Sequence, residues 1–463
     1  MGVLKTERNR GAEPSLYEFT GGIEVDRRLA PQEIGVQKAW VKALAAGGYL
    51  DAEECRRALY FLDRALGQIG DGSFEWRAED EDIHMNLERF VTDEAGDLGR
   101  KMHMGRSRND LIATTLRLFS ADCCAVANDG ACDMALALCA LAEETAGVIV
   151  PGTTHLQHGQ PVSLGHIFAA HAQAFLRDAG RLGRAIQSCM EHMPLGSAAL
   201  AGTPLKLDLK ACAKELGFFK PPENSYDAVG DRDFMIEAMD AFSSIAVHTG
   251  RLAEDVIYWS SSAVGLVKLP KDYSTGSSIM PNKRNPDVAE LARARSARII
   301  SMAQEAHSIL KSVPTSYGSD LHELKKCFVA AFDELSATLG AMIPFAEGLA
   351  ADEVRARQLL ERGHVLATEI ADALTSQGMS FRDAYAKTAA LVELAEAAGV
   401  QVHEIEIEKA KALLPEVELG FLADLSYESA VMRRSLFGGT SPEQVSLCIG
   451  RTKERALALR SRP

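Results

Sequence analysis

The chain has 463 residues, with Lys+Arg 50 against Asp+Glu 64 and a formal net charge of −14. Hydrophobic residues at 47% and charged residues at 25% give ample apolar surface for a core, and at about 150 residues per domain the length suggests three domains. The acidity removes any general electrostatic reason to bind nucleic acid or an anionic membrane, no apolar run approaches the length needed to cross a bilayer, and the nine scattered cysteines, adjacent only at Cys123 and Cys124 and without a CxxC, imply neither a disulfide framework nor a thiolate zinc site.

In chain order, Met1 to Glu13 is charged and lacks the apolar stretch of a signal peptide, which makes the cytoplasm the simplest location. Residues 1–105 carry short periodic segments broken by Gly47-Gly48, Gly70 and Gly72, with an acidic stretch from Glu79 to Asp82, and form an N-terminal, mainly helical domain. A central domain over 106–352 is predicted to hold five long helices. The first runs from Leu111 to Val150, with Asp110 as its N-cap and Pro151 closing it. The second spans Val162 to Met193. The third spans about Asp231 to Ala263, where Met235, Met239, Phe242, Ala246, Thr249, Ala253 and Val256 recur with a heptad spacing and form one seam. The fourth starts at Pro286 and reaches Ser312, and the fifth runs from near Ser319 to Met342, before Pro344. Helices of this size are each about 45 Å long, more than one compact domain needs, so the bundle is expected to continue across subunits. From Asp352 onward the pattern gives short helices and a small C-terminal helical domain over 353–463, with Ser441-Pro442-Glu443-Gln444 as a capping-box start for the last. Strand patterns are scarce, so the fold class is all-α.

Chemistry is concentrated just before three of these helices. Thr275 to Asp287 (TGSSIMPNKRNPD) joins the third and fourth helices with glycine, hydroxyls, prolines and cations and few apolar residues. Its successive backbone N–H groups, Lys283 and the following helix start all favour an anion at one place, and the same positive field would ease deprotonation of a serine. An ordinary connecting loop with solvated charges has the same composition. Gly105-Arg106-Ser107-Arg108-Asn109-Asp110 opens the first long helix, either as an anion site or as a charged cap. Gly152 to His158 opens the second, where His155 is either catalytic or structural. His155, His158 and His166 could be read as metal ligands, but no carboxylate or cysteine completes a set at useful spacing, so no metal and no cofactor are expected. Three equipped helix starts brought together by packing between subunits point to a shared site for a polyanionic small molecule.

These residues resemble a known family. Gly276 to Asp287 is similar to the GSSxMPxKxNP signature of the fumarase/aspartase superfamily. The Gly105–Asp110 segment, Thr154-His155-Leu156-Gln157, Glu81-Asp82-Ile83-His84, Ala201-Gly202-Thr203 and Asp231-Arg232-Asp233-Phe234 resemble the argininosuccinate lyase family, from about Phe19 to the C-terminal helix. The resemblance implies a three-domain fold whose long-helix bundle forms the core of a homotetramer, with each active site built from three subunits. It implies elimination of fumarate from argininosuccinate to release arginine, a step of arginine biosynthesis. Ser277 would be the base, and Lys283 with Asn285 would hold the carboxylate beside the abstracted proton. Ser107, Asn109 and Thr154 would bind the succinyl carboxylates with Arg108 nearby, and His155, paired to Glu290, would manage the proton for the leaving nitrogen. His84, Tyr317, His322 and Lys325 fall at further substrate-binding positions. On the amine side the chain departs from the family: His322 stands for a Gln, Gly22 for a Ser, Leu111 for a Gln, Met104 for a Thr and Thr153 for a Tyr, and the WGGRF opening is missing. The alternatives are a lyase for another N-substituted aspartate and, of a different class, a non-catalytic crystallin-like protein.

Overall fold

The computed structural model describes residues 19–415 and 417–460. The charged Met1 to Glu13 segment lies outside the described residues. Five helices of 24 to 37 residues dominate, and the longest is about 55 Å at 1.5 Å per residue. The chain divides into two compact units, and each of the five long helices contributes residues to both.

The first unit comprises the described residues up to Asn128, with Arg181–Ser244 and Arg298–Leu335. Helices α1 (Ala30–Ala46), α2 (Ala52–Asp71) and α3 (Ile83–Ala95) pack around buried Trp40, Leu44, Leu62 and Val91. Each is set by local chemistry. Asp51 and Glu54 form a capping box at the start of α2, and Gly72, at φ 79°, ends it in the left-handed conformation that glycine adopts without strain. The Trp40 indole donates to Met104 O at 3.0 Å, which anchors the approach to helix α4 (Arg108–Glu144).

The second unit comprises Asp129–Gly180, Ile245–Ala297 and the described residues from Ser336 on. Strands β1 (Ile149–Thr154) and β2 (Gln157–Ser163) make a hairpin before helix α5 (Leu164–Met190). Helix α6 (Asp233–Ser260) enters this unit from the first, and all seven residues of its expected seam are buried, between 0% and 1% exposed. Strands β3 (Thr275–Gly276) and β4 (Arg284–Asn285) pair antiparallel ahead of helix α7 (Asp287–Leu310). Helix α8 (Asp320–Glu347) is followed by short helices, including α9 (Ala367–Ser376) and α10 (Phe381–Ala398), around Leu360, Ile370, Leu391 and Leu414. The last helix, α11 (Pro442–Leu459), starts where expected, with the Ser441 side chain accepting from Gln444 N at 3.4 Å, but the reciprocal half of the expected capping box does not form, since Ser441 N donates to Arg434 O at 3.2 Å. It is tied to α5 by Gln173 donating to Thr452 at 2.9 Å and to α4 by the Lys453–Glu143 ion pair at 2.6 Å.

Several expectations need correction. Residues 149–163 are a hairpin and not a helix start, because Pro151 and Pro161, opposite each other, cannot sit in a helix interior. Pro344 lies inside α8, one turn before its end, where a missing N–H disturbs few bonds. Two helices, α4 and α8, are long and apolar enough by length and composition to cross a membrane, although no uninterrupted apolar run is. Of their apolar windows 61% and 44% are buried, as expected for bundle helices with several faces covered by protein. All nine cysteines are free thiols, seven of them buried.

Candidate active site

The start of α4 builds the first half of the site. Ser107 is its cap: the Ser107 Oγ accepts from Asn109 N at 3.3 Å, and the Asp110 carboxylate reaches back to Ser107 N at 2.9 Å. Asp110 is therefore the third-position partner of a capping box and not the N-cap expected from sequence. Its other oxygen accepts from Gly196 N at 3.0 Å and Ala198 N at 2.8 Å, which fixes the helix start to a neighbouring turn. Burial pushes this carboxyl up to about 6 against the pull of those three N–H donors.

Arg108 is not a free cation. Its guanidinium bonds Glu81 at 3.1 Å and also pairs with Asp82. Asp82 caps α3 by accepting from Met85 N at 2.9 Å, and Glu81 sits at φ 68°, a left-handed conformation rare for a residue with a side chain. Beneath them, His84 places its Nδ1 2.7 Å from buried Glu33, whose carboxylate also accepts from Gln37 at 2.8 Å and Thr115 at 2.6 Å. Burial opposes charge on this imidazole, but Glu33 and Asp82 outweigh it and raise its pKa.

The start of α8 faces the same space. The Tyr317 hydroxyl lies 2.6 Å from His322 Nε2, and Lys325 is ion-paired with Asp26, both buried. Burial, and then the positive charge of Lys325, lower the His322 pKa, so this imidazole is neutral at pH 7. Burial likewise raises the Tyr317 pKa and keeps the phenol protonated. Together these groups line a cavity of about 580 Å³, where Ser107, Arg108, Asn109, Tyr317 and His322 meet Asp26, Glu81, Asp82 and Glu88. Each of the four carboxylates already has a cationic or imidazole partner: Asp26 has Lys325, Glu81 and Asp82 share Arg108, and Glu88 lies 3.1 Å from His103.

The remaining candidate residues belong to the other unit. At the tip of the β1–β2 hairpin, Thr154 pairs with Gln157, and the two turn residues, His155 and Leu156, stand at φ 56° and 57°. Both central residues of such a turn need positive φ, and here neither is glycine. The strain holds His155 exposed at the tip. In the loop between β3 and β4, the Ser277 Oγ accepts from Ile279 N at 3.2 Å and Met280 N at 3.1 Å. Two N–H donors aimed at one oxygen would stabilise its alkoxide. Thr275 bonds Asp287 through both N–H, at 3.2 Å, and hydroxyl, and Asn285 donates to Thr275 at 3.5 Å, so the loop base is tied to the first turn of α7. Lys283 and Glu290 are exposed. Among the described residues no ion pair joins His155 to Glu290, so the pairing expected from sequence is not made within this chain.

Ser107, Arg108, Asn109, Tyr317 and His322 are thus brought into one cavity, with Lys325 and His84 packed behind it, while Thr154, His155, Ser277, Lys283, Asn285 and Glu290 belong to the other unit. Sequence reasoning missed Asp26, Glu81, Asp82 and Glu88 as lining groups. Asp82 carries a local signal, an Asp before an apolar-periodic run, whereas Asp26 carries none, because its partner is 299 residues away. Among the described residues no group of three His, Cys, Asp or Glu side chains is placed to hold a metal ion.

A family described as lyase matches residues 7–301, and one described as argininosuccinate lyase C-terminal matches residues 364–432. The chain is 40% identical over 439 residues to an argininosuccinate lyase of Desulfovibrio desulfuricans, covering 94% of this chain and 93% of the relative. It is 40% identical over 443 residues to one of Nitratidesulfovibrio vulgaris, covering 95% of each. Among solved structures, an EDDS lyase variant with bound fumarate superposes with a TM-score of 0.84 at 23% identity, covering 96% of this chain and 89% of that one. A class II fumarase from Schistosoma mansoni gives 0.73 at 17% identity, covering 87% and 91%, and both share the all-α fold. By the extent of the sequence match and the two family assignments, this chain belongs to the argininosuccinate lyases of the fumarase/aspartase superfamily.

Proposed function

We propose that the protein is a carbon–nitrogen lyase that eliminates fumarate from argininosuccinate and releases arginine. The 40% identity over 94% of the chain to an argininosuccinate lyase carries the assignment of substrate. The site supports the chemistry. Ser277, its Oγ facing two backbone N–H groups, takes the proton from the carbon beside a succinyl carboxylate. The electron pair moves into that carboxylate as an aci-dianion, which Lys283 and Asn285 hold, then forms the C=C bond of fumarate as the C–N bond breaks. A proton managed by His155, with Glu290, neutralises the leaving nitrogen. Ser107, Asn109 and Thr154 hold the succinyl half with Arg108 nearby, while the carboxylate-rich cavity of Tyr317, His322, Lys325 and their neighbours takes the cationic leaving group, with His84 holding its floor.

The length of the five helices supports a homotetramer with shared active sites, whose core is the long-helix bundle of a central domain over 106–352, flanked by domains over 1–105 and 353–463. The cytoplasm, where its metabolite substrate would be found, is the proposed location. A second reading, a lyase for another N-substituted aspartate, is favoured by one observation: His322, in place of the family's Gln, already has Nε2 engaged by Tyr317. Fumarate absorbance, followed with argininosuccinate, adenylosuccinate and aspartate, separates the two. Turnover of argininosuccinate is expected. No turnover of it, with good turnover of another substrate, would replace the first reading by the second.

A further inference from the structure

The segment before α6 is pressed against the segment before α8. A Cβ at Gly230 would stand 2.4 Å from Ser316 O, 2.6 Å from its Cα and 2.7 Å from its N. All three are backbone atoms, so no side-chain rotation could relieve the clash. Ser316 is itself buried and holds φ 80°, which a side-chain-bearing residue keeps only when its surroundings force it. The next residue is Tyr317, which reaches His322 at 2.6 Å and lines the cavity. Two residues past Gly230, the Arg232 side chain is 1% exposed. Its Nη1 donates to Val229 O at 3.3 Å and Asp231 O at 2.6 Å, which stiffens the turn around Gly230, while its Nε and Nη2 have no hydrogen-bond partner. The Asp231 carboxylate is turned elsewhere, onto Arg117 and the N–H of Asp233. Arg232 and Tyr317 are close enough for each to shift the other's ionisation.

We infer that Gly230, braced by Arg232, is a positioning residue for Tyr317: the bare backbone at Gly230 lets Ser316 dock in its left-handed turn, and that docking sets the Tyr317 hydroxyl on His322. A side chain at 230 displaces Ser316, and with it the wall of the cavity that takes the leaving amine. The inference rests on the reading that this cavity binds the amine half of the substrate, but the geometry it concerns is measurable without any substrate.

The test is a double-mutant cycle read in two ways. Gly230→Ala is expected to raise KM for argininosuccinate about tenfold while changing kcat less than about threefold, and to add less than about twofold in a Tyr317→Phe background. In the substrate-free protein, the His322 imidazole NMR resonances, assigned with His322→Gln, are expected to move in Gly230→Ala as they do in Tyr317→Phe. Ser316→Gly, which keeps the left-handed turn and its backbone contact with Gly230 at less conformational cost, is expected to leave the resonances and KM near their wild-type values. An equal KM factor in both backgrounds, His322 resonances unmoved by Gly230→Ala, or His322 resonances displaced by Ser316→Gly would overturn the inference. Absence of argininosuccinate turnover in the wild type would instead strike the functional reading and leave the resonance test standing.

Discussion

The candidate residues of the two units are built in opposite ways. In the first unit the polar groups are buried or half-buried and already partnered: Arg108 with Glu81 and Asp82, Lys325 with Asp26, His84 with Glu33, Tyr317 with His322. In the second unit His155, Lys283 and Glu290 are exposed and Ser277 and Asn285 half-buried, on a hairpin tip with two left-handed residues and around a seven-residue loop, 277–283, held at its base, at Ser277 and by Lys283 N donating to Met280 O at 3.1 Å. A binding wall gains from partners that fix its charges before the ligand arrives, since an unpaired buried charge is costly. Reactive groups cannot be spent on such pairs, and a loop that closes over substrate must move. Under the proposed function, the first group holds the substrate and the second carries the chemistry.

Variants on the two sides should therefore fail differently. The largest effect is expected for Ser277→Ala, a loss of about 10³–10⁴ in fumarate release with unchanged thermal stability and assembly, measured by steady-state kinetics and calorimetry. Lys325→Met on the binding side should do the reverse, leaving Asp26 buried and unpaired and lowering unfolding free energy by about 3–5 kcal/mol, read from urea denaturation. A smaller, pH-dependent effect is expected at His84. Its pKa in the folded protein is raised above the ordinary value of about 6.5, so its contribution to stability is complete below that value and is lost as pH rises through the folded pKa. The urea midpoint should fall over that range in the wild type and stay flatter in His84→Gln. The smallest effect is Leu156→Gly, which relieves one left-handed side-chain residue at the hairpin tip and should stabilise the protein by about 1 kcal/mol. A destabilising result there would remove the claim that the tip stores strain.

What was readable in the sequence follows from the range of the forces. The five long helices, the α6 seam and the Ser441 cap depend on neighbours within a few turns, and the pattern shows them. The catalytic segments were recognisable through composition and motif, because Ser277 and its two N–H donors lie within four residues. The 149–163 hairpin was misread because two prolines beside a run of polar residues fit a loop and a strand equally. The acidic lining is not legible in the sequence because its partners come from far along the chain, Asp26 with Lys325 and Glu81 with Arg108.

The central claim is that each complete site joins the binding half of one subunit to the reactive half of others. Mixing Ser277→Ala and Asn109→Ala subunits, each inactive alone, tests it most directly after dissociation and reassembly. Hybrid tetramers contain some sites with Asn109 and Ser277 both intact, so the account predicts that fumarate release returns on mixing. Persistent inactivity, in hybrids whose subunit exchange has been confirmed by mass, would contradict it.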